Sequence, residues 1–315
     1  MTTTTQDVRL REPPPHERLR TPARRGSRAL TGWSFAAPFV LIFGVFLLLP
    51  VAASLVMSFT DMRATDMRTP WAVEFAGLGN YTRLFGDDLL RRAALNTTVF
   101  VLVGVPLTMI AALAAANAVN SGLIRFRAAF RVGFYLPVVT SIVAIAVIWR
   151  FLLDPEAGLI DNLLGTIGVD GPNWLGDTRT SLASIIVMAA WRNFGTLMVI
   201  FLAGLQGIPQ HLYEAATLDG AGRWAQFRHV TLPLLRPALL FGAVITGIGY
   251  LQLFEEPLVM TQGGPLQSTL SVSYHVYNQF GLGNYGYASA VSYVLFVAVV
   301  ALSVLQFRLL GNRDD

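Results

Sequence analysis

Apolar residues gather along this chain in long runs separated by polar gaps, at about 33–59, 95–119, 130–153, 181–205, 238–260 and 287–307. Each run is close to or above the roughly 20 residues that an α-helix needs to cross the hydrocarbon core of a bilayer. The pattern predicts an all-α integral membrane protein with six transmembrane helices spread over residues 33–310. The first run carries no charge from Trp33 to Phe59. It exceeds the apolar core of a signal peptide, and Ala52-Ala53-Ser54 is a poor cleavage site, so it reads as a retained span.

The gaps differ in character. Residues 60–94 balance Arg against Asp and Glu and contain GLGNYTRLF, which suits a short interfacial helix with Tyr81 and Phe85 at the headgroups. Residues 120–131 carry Arg125, Arg127 and Arg131 and no acid, whereas 154–180 carries Asp154, Glu156, Asp161, Asp170 and Asp177 against Arg179. The gap before the last run, TQGGPLQSTLSVSYHVYNQFGLGNYG, is rich in Gly, Ser, Tyr and Asn. The remaining gap, 209–237, reads PQHLYEAATLDGAGRWAQFRHVTLPLLRP. Pro209 suits a first helical position, HLYEAATL favours a helix, and Asp219-Gly220 ends it, because Gly takes the left-handed conformation readily. A second short helix is expected from Ala221 to Val230, stopped at Thr231-Leu232-Pro233, with the next span starting at Pro233 or Pro237.

Charge orients the spans. Residues 1–32 hold Arg9, Arg11, Arg18, Arg20, Arg24, Arg25 and Arg28 against Asp7, Glu12 and Glu17, and read as a disordered basic tail. Such a cluster before a span is an inside anchor more often than a nucleic-acid arm. The gap at 120–131, the 209–237 stretch, the tail and the end of the last run, with Arg308 and Arg313, share the basic excess. The positive-inside rule therefore places all of them, including a short tail at 311–315, in the cytoplasm.

Composition narrows the chemistry. Hydrophobic residues make up 54%, charged residues 13%, and mean hydropathy is +0.54, which fits a multi-spanning membrane protein. There is no cysteine, so disulfides, thiolate metal sites and thiol catalysis are excluded. All 23 basic residues are arginine, and a phosphate-binding P-loop needs a lysine. The chain is expected to hydrolyse no ATP itself. His16, His211, His229 and His275 are too scattered for a metal site, and Asp87-Asp88 reads as a solvated turn. The all-arginine set fits a GC-rich bacterial genome.

Glu214-Ala215-Ala216, the Asp219-Gly220-Ala221 that follows, then Val230, Leu232-Pro233 and Pro237, all at fixed spacing, resemble the cytoplasmic loop of permease subunits in binding-protein-dependent ABC importers. MTQGGP at 260–265 and GYASAVSYVLF at 286–296 are similar to the carbohydrate-uptake branch, of the maltose and glycerol-phosphate permease type. GLGNY at 77–81, FRVGFYLP at 130–137 and GLQGIP at 204–209 extend the resemblance to most of the chain from Trp33 onward. The large extra outside domain of the maltose-specific member is absent. The resemblance implies a type I ABC importer permease fold whose coupling helix, with Glu214, Ala215, Ala216, Asp219, Gly220 and Ala221, inserts into a separate ATPase. It further implies a second homologous permease, with a heterodimer favoured, an ATPase dimer that binds ATP and Mg, and an extracytoplasmic sugar-binding protein. No cofactor is expected on this chain, and its place is the bacterial cytoplasmic membrane.

Polar groups inside spans are costly and mark pathways or helix contacts. Arg192, Asn193 and Thr196 fall in the fourth run, and Tyr250, Gln252, Glu255 and Glu256 in the fifth, on either side of the docking stretch. Asn193, Thr196, Tyr250, Gln252 and Glu255 offer the amide, hydroxyl, aromatic and carboxylate chemistry that a sugar requires. Arg192 with Glu255 or Glu256 fits either substrate contact or a buried ion pair. The expected activity is ATP-driven import of a sugar or oligosaccharide by alternating access. Glycerol-phosphate or a polyol remains an alternative substrate, and an ion-coupled secondary transporter using Arg192, Glu255 and Glu256 a more distant one.

Overall fold

A computed structural model describes residues 25–69, 73–121 and 126–310. Most of the expected N-terminal tail, Arg125 and the segment 311–315 lie outside the described residues. By internal contacts the chain forms two compact units, Met1–Ala53 and Ser54–Asp315. In chain order the helices are α1 (Arg25–Phe43), α2 (Leu49–Ser58), α3 (Gly79–Leu84), α4 (Asp88–Asn120), α5 (Arg127–Val139), α6 (Ile142–Leu152), α7 (Leu159–Thr166) and α8 (Ser181–Gln206). Then follow α9 (Gln210–Leu218), α10 (Arg223–Gln226), α11 (Leu232–Leu234), α12 (Arg236–Leu251), α13 (Glu255–Met260), α14 (Val272–Gly281) and α15 (Tyr285–Leu310). No strand occurs among the described residues, apart from one isolated bridge between Thr60 and Phe75.

Four segments are long and apolar enough to cross a membrane as single helices: Trp33–Ser58, Asp88–Asn120, Ser181–Gln206 and Tyr285–Leu310. Two bent pairs bring the number to six, α5 with α6 at 100° and Arg223–Leu234 with α12 at 66°. The third run is therefore two helices at nearly a right angle. The break falls at Thr140-Ser141, with Thr140 extended and Ser141 at φ −54°, ψ 129°, outside the helical region. Pro137 lacks the N–H that would tie this turn to Gly133, and the Thr140 hydroxyl donates instead to Leu136 O at 3.0 Å. The fifth run also ends before residue 260. Its helix stops at Leu251, the chain turns through Gln252–Phe254, and α13 restarts at Glu255. Gln252 and the two glutamates thus do not lie on one continuous helix, as an unbroken fifth run from 238 to 260 would place them. Likewise α1 begins at Arg25, inside the stretch expected to be disordered through residue 32. The RGSRAL segment has good helix formers and is continued by the apolar run behind it.

Two prolines are accommodated by one device. A π turn at Gly44–Leu48 precedes Pro50, and another at Phe227–Thr231 precedes Pro233. In each, the residue before the proline bonds five residues back, Leu49 to Gly44 and Leu232 to Phe227. The wider turn removes the clash between the proline ring and the carbonyl four residues back. Pro233 therefore does not stop the helix after Thr231, as the sequence suggests. The chain bends one step later, and α12 begins at Arg236 with Pro237 in its first turn.

In the second unit α4 runs beside α8, α12 packs on both α4 and α15, α5 crosses α8, α14 packs on α15, and α13 lies against α6. One apolar cluster joins Phe100, Val105, Ile185, Met188 and Tyr250 in the middle of these helices. A second joins Ala116, Val119, Phe201, Leu205 and Leu235 near the docking stretch. Arg236 caps α15, its Nε donating to Leu310 O at 2.7 Å. The ends of α4, α8 and α15 therefore share the face that carries 209–237. On the far face, the strap 261–271 is tied to α4: Asn96 Nδ2 donates to Gln267 O and Leu270 O, each at 2.9 Å, and Arg92 Nη1 donates to Leu266 O at 2.8 Å.

Candidate functional site

The 209–237 stretch is built from its own residues. Pro209 precedes α9 in an extended conformation, one place outside the helix rather than at its first position. α9 ends where Gly220 takes φ +80°. The Gly220 N–H reaches Thr217 O at 3.0 Å and the Ala221 N–H reaches Ala216 O at 2.9 Å, the paired bonds of a Schellman cap. Tyr213 and Thr231 hydroxyls meet at 2.9 Å, and Gln226 Nε2 donates to Thr217 Oγ1 at 2.9 Å and to Ala221 O at 3.1 Å. These bonds hold α9 and α10 as one hairpin. Neither helix buries a residue, and Leu218 is 90% exposed. Glu214, Ala215, Asp219 and Gly220 are exposed too, while Ala216 and Ala221 are half-buried. An exposed leucine beside an acidic residue on a short braced helix is chemistry for contact with another surface.

Above it lies a cleft of ≈ 260 Å³ between α8, α12 and α13. Asn193, Thr196, Tyr250, Gln252 and Glu255 all line it, together with Arg192 and Glu256. The structure thus brings together residues from two apolar runs that the sequence singles out separately. Arg192 and Thr196, one turn apart on the unbroken α8, face it side by side. The turn at Gln252–Phe254 brings Gln252 and Glu255 to its rim and Glu256 to its buried wall. Thr246 and Phe254 also line it and escape the sequence reading. Their signal is slight: one threonine in a Gly-rich helix, one aromatic among many.

Tyr250 is held from behind. Its ring meets Phe100 edge-on at 4.9 Å, and its hydroxyl lies 2.8 Å from Thr108 Oγ1. Thr108 spends its hydrogen on Gly104 O at 2.7 Å, so Tyr250 is the donor in the shared bond. Gly104 makes the room: a Cβ there would fall 2.9 Å from Tyr250 Cε2. Asn193 Nδ2 donates to Ala189 O at 2.9 Å. The ion pair weighed between Arg192 and the glutamates does not form. Among the described residues, ion pairs within 4.0 Å join only Arg91 to Asp88 and His275 to Asp87, because α8 and the restarted α13 hold the opposing charges apart.

Asp87 is not the solvated turn that its sequence suggests. Its Oδ1 caps α4 by accepting from Leu89 N at 2.9 Å and Leu90 N at 3.0 Å. Its Oδ2 accepts from the Tyr287 hydroxyl at 2.5 Å and lies 3.2 Å from His275 Nε2. The imidazole is not aligned for a hydrogen bond, so that contact is electrostatic. Arg83 covers the Tyr287 ring at 4.5 Å. Burial alone would raise the Asp87 pKa, but Tyr287, the Leu90 amide, His275 and the Leu89 amide together hold it below the ordinary carboxylate value. Burial pulls His275 below 6.5, against the opposing pull of Asp87. Both shifts make stability fall with acid. As the pH drops below 6.5 the unfolded chain gains a proton that folded His275 resists, and below the ordinary aspartate value it gains another that folded Asp87 resists. Asp87→Ala is expected to lower the melting temperature of the purified protein at neutral pH, through loss of a cap worth about 1 kcal/mol and a charged hydrogen bond worth about 2 kcal/mol. It should also flatten the acid limb below pH ~4. An unchanged melt would show that the junction carries no stability.

No group of three or more potential metal ligands occurs among the described residues. Comparison with known proteins places these features in context. The family described as binding-protein-dependent transport system inner membrane component matches residues 104–311. The lactose transport system permease protein of Rhizobium radiobacter is 37% identical over 291 residues, spanning 90% of this chain and 95% of that one. The arabinooligosaccharides transport system permease protein of Bacillus subtilis is 33% identical over 295 residues, spanning 91% and 90%. A crystal structure of a bacterial alginate ABC transporter, in complex with an alginate pentasaccharide-bound periplasmic protein, contains a chain that superposes with a TM-score of 0.74 at 24% identity, over 90% of this chain and 94% of that one.

Proposed function

The chain belongs to the inner membrane components of binding-protein-dependent transport systems, and from that membership we propose that it is the permease through which a sugar or short oligosaccharide crosses the membrane. The observation that carries the substrate class is the cleft itself, where amide, hydroxyl, aromatic and carboxylate groups converge between α8, α12 and α13. The named relatives reported above transport lactose and arabinooligosaccharides, which supports a glycan over glycerol-phosphate. Membership also removes the ion-gradient reading of Arg192 and the glutamates.

In this proposal the face bearing 209–237 is cytoplasmic and α9 docks on a separate ATPase, which binds ATP and Mg. A second permease of the same kind completes the pathway, and an extracytoplasmic binding protein delivers the sugar to the strap face. Closure of the ATPase pair moves α9, and α8 and α12, which leave the docking stretch in either direction, carry that motion to the cleft. The chain itself performs no hydrolysis.

The cleft is tested by uptake of labelled sugar in cells that carry the complete transporter. Tyr250→Phe combined with Gln252→Ala is expected to reduce uptake at least about tenfold, through loss of the Thr108 bond that fixes the Tyr250 ring and of a sugar hydrogen bond at Gln252, ~1 kcal/mol each, with unchanged amounts of protein in the membrane. Wild-type uptake in that double variant would place the substrate elsewhere.

A further inference from the structure

The charges of the cleft are arranged in a way that the sugar reading does not require. Glu256 is 7% exposed, deeper than a carboxylate usually sits without a cation. Arg192 lines the same cleft and its Nε is buried without a hydrogen-bond partner. Glu255, exposed, adds a second carboxylate at the rim. A half-buried guanidinium and a buried carboxylate lining one cleft ordinarily pair, because a buried charge alone is costly. Here α8 fixes Arg192 and the helix restart at Glu255 fixes Glu256 on the other wall, and no ion pair within 4.0 Å joins them among the described residues.

We propose that this separated pair selects a neutral, hydroxyl-rich ligand and rejects anionic ones, so that uronates and sugar phosphates are excluded from the cleft. A hydroxyl group both donates and accepts. Two hydroxyls of one sugar ring satisfy both walls at once, one donating to Glu256 and the other accepting from Arg192. An anion satisfies Arg192 but places its charge beside Glu255 and Glu256, where a low dielectric strengthens the repulsion. With two carboxyl groups against one guanidinium, the balance goes against the anion. Asn193, Thr196, Thr246 and Gln252 add no charge to this balance, and the Phe254 ring offers an apolar face. The inference rests on the reading of the cleft as the substrate site. It separates this chain from the alginate transporter whose fold it shares, since alginate is an acidic polysaccharide.

Selectivity must be read without the binding protein, which filters ligands before they reach the membrane. Saturation-transfer NMR on the detergent-purified transporter is suited to this, with lactose, trehalose and arabinobiose as neutral probes and galacturonate and galactose 6-phosphate as anionic probes. At least one neutral sugar is expected to bind at least about tenfold more tightly than either anion. Arg192→Gln should weaken that sugar about tenfold, and Glu255→Gln and Glu256→Gln should each narrow the gap by raising anion binding. Glu255 is exposed, so its variant remains informative if Glu256→Gln fails to fold. Binding of the anions as tight as that of every neutral sugar, failure of every neutral sugar to bind, or an unchanged gap in the glutamate variants overturns the proposal. Tyr250→Phe with Gln252→Ala separates the two layers. If that pair leaves neutral-sugar binding intact, the cleft reading itself fails. If it abolishes binding while the glutamate variants leave selectivity unchanged, the charge inference alone fails.

Discussion

Gly220→Pro is expected to abolish uptake while the membrane helices remain folded. Gly220 sits at φ +80° and donates its N–H to Thr217 O at 3.0 Å. Proline fixes φ near −65° and has no N–H, so the cap of α9 is lost twice over. Asp219, at φ −75° and ψ 2°, is also pushed out of its turn by a following proline. Gly220→Ala separates conformation from space, because no atom lies within 4 Å of the added Cβ. Its cost is the left-handed backbone alone, about 1–2 kcal/mol, and a partial loss of uptake is expected. Glu214→Arg leaves the hairpin intact and reverses one exposed charge. In the transporter co-expressed with its ATPase, ATP hydrolysis and uptake should fall together, or hydrolysis should persist without uptake, in both Gly220→Pro and Glu214→Arg. Wild-type uptake in both variants, with no ATPase co-purifying, would remove the docking role from α9.

Gly195→Ala is expected to remove most of the folded protein from the membrane. A Cβ at Gly195 on α8 would lie 2.0 Å from Phe134 O and 3.2 Å from Tyr135 Cα, both backbone atoms of α5. A side chain can swing away, but the backbone of a packed helix cannot, so the two helices must separate. Small residues permit such close crossings in membranes, and overpacking them costs typically 1–3 kcal/mol or more. Phe134 also meets Phe194 of α8 edge-on at 5.4 Å, and separation would break this contact as well. Gly133→Ala on the same α5 is the control. No atom lies within 4 Å of its Cβ, and alanine favours a helix over glycine by about 0.5–1 kcal/mol. Fluorescence-detected size-exclusion chromatography of tagged variants should show Gly133→Ala at or above the wild-type peak and Gly195→Ala far below it. Equal peaks would mean that the α5–α8 crossing tolerates a wider spacing.

The apolar runs were legible because a membrane span is written in length and composition, which survive without knowledge of any neighbour. The docking stretch was legible for the opposite reason, as it is a local structure whose turns depend on Pro209, Gly220 and Pro237 themselves. What hid was the route of the chain inside the bilayer. Pro106 sits within the unbroken α4, whereas Pro137 precedes a 100° break, and nothing local separates the two cases. The break depends on α8, which presents Gly195 to α5, and on α13, which packs against α6. Of the cleft, the polar residues showed themselves as exceptions in apolar surroundings. Their relation did not, since Arg192 and Glu256 look like partners until two helices are seen to hold them apart. Asp87 was misread because a cap and a solvated turn have the same sequence, and Tyr287, which distinguishes them, lies 200 positions away.

The hairpin of α9 and α10 buries none of its own residues, is braced by Tyr213–Thr231 and Gln226–Thr217, and joins the membrane body at α8 and α12. Such a segment is an adaptor. The body above it makes few demands on the sequence of α9, so exchange of 210–222 with the equivalent stretch of another permease should give a chimaera that folds as before and, in the proposed assembly, answers to a different ATPase. In the proposed assembly, the surface offered to the ATPase can thus diverge independently of the cleft offered to the sugar, and a duplicated importer can acquire a new energy source while its cleft stays unchanged.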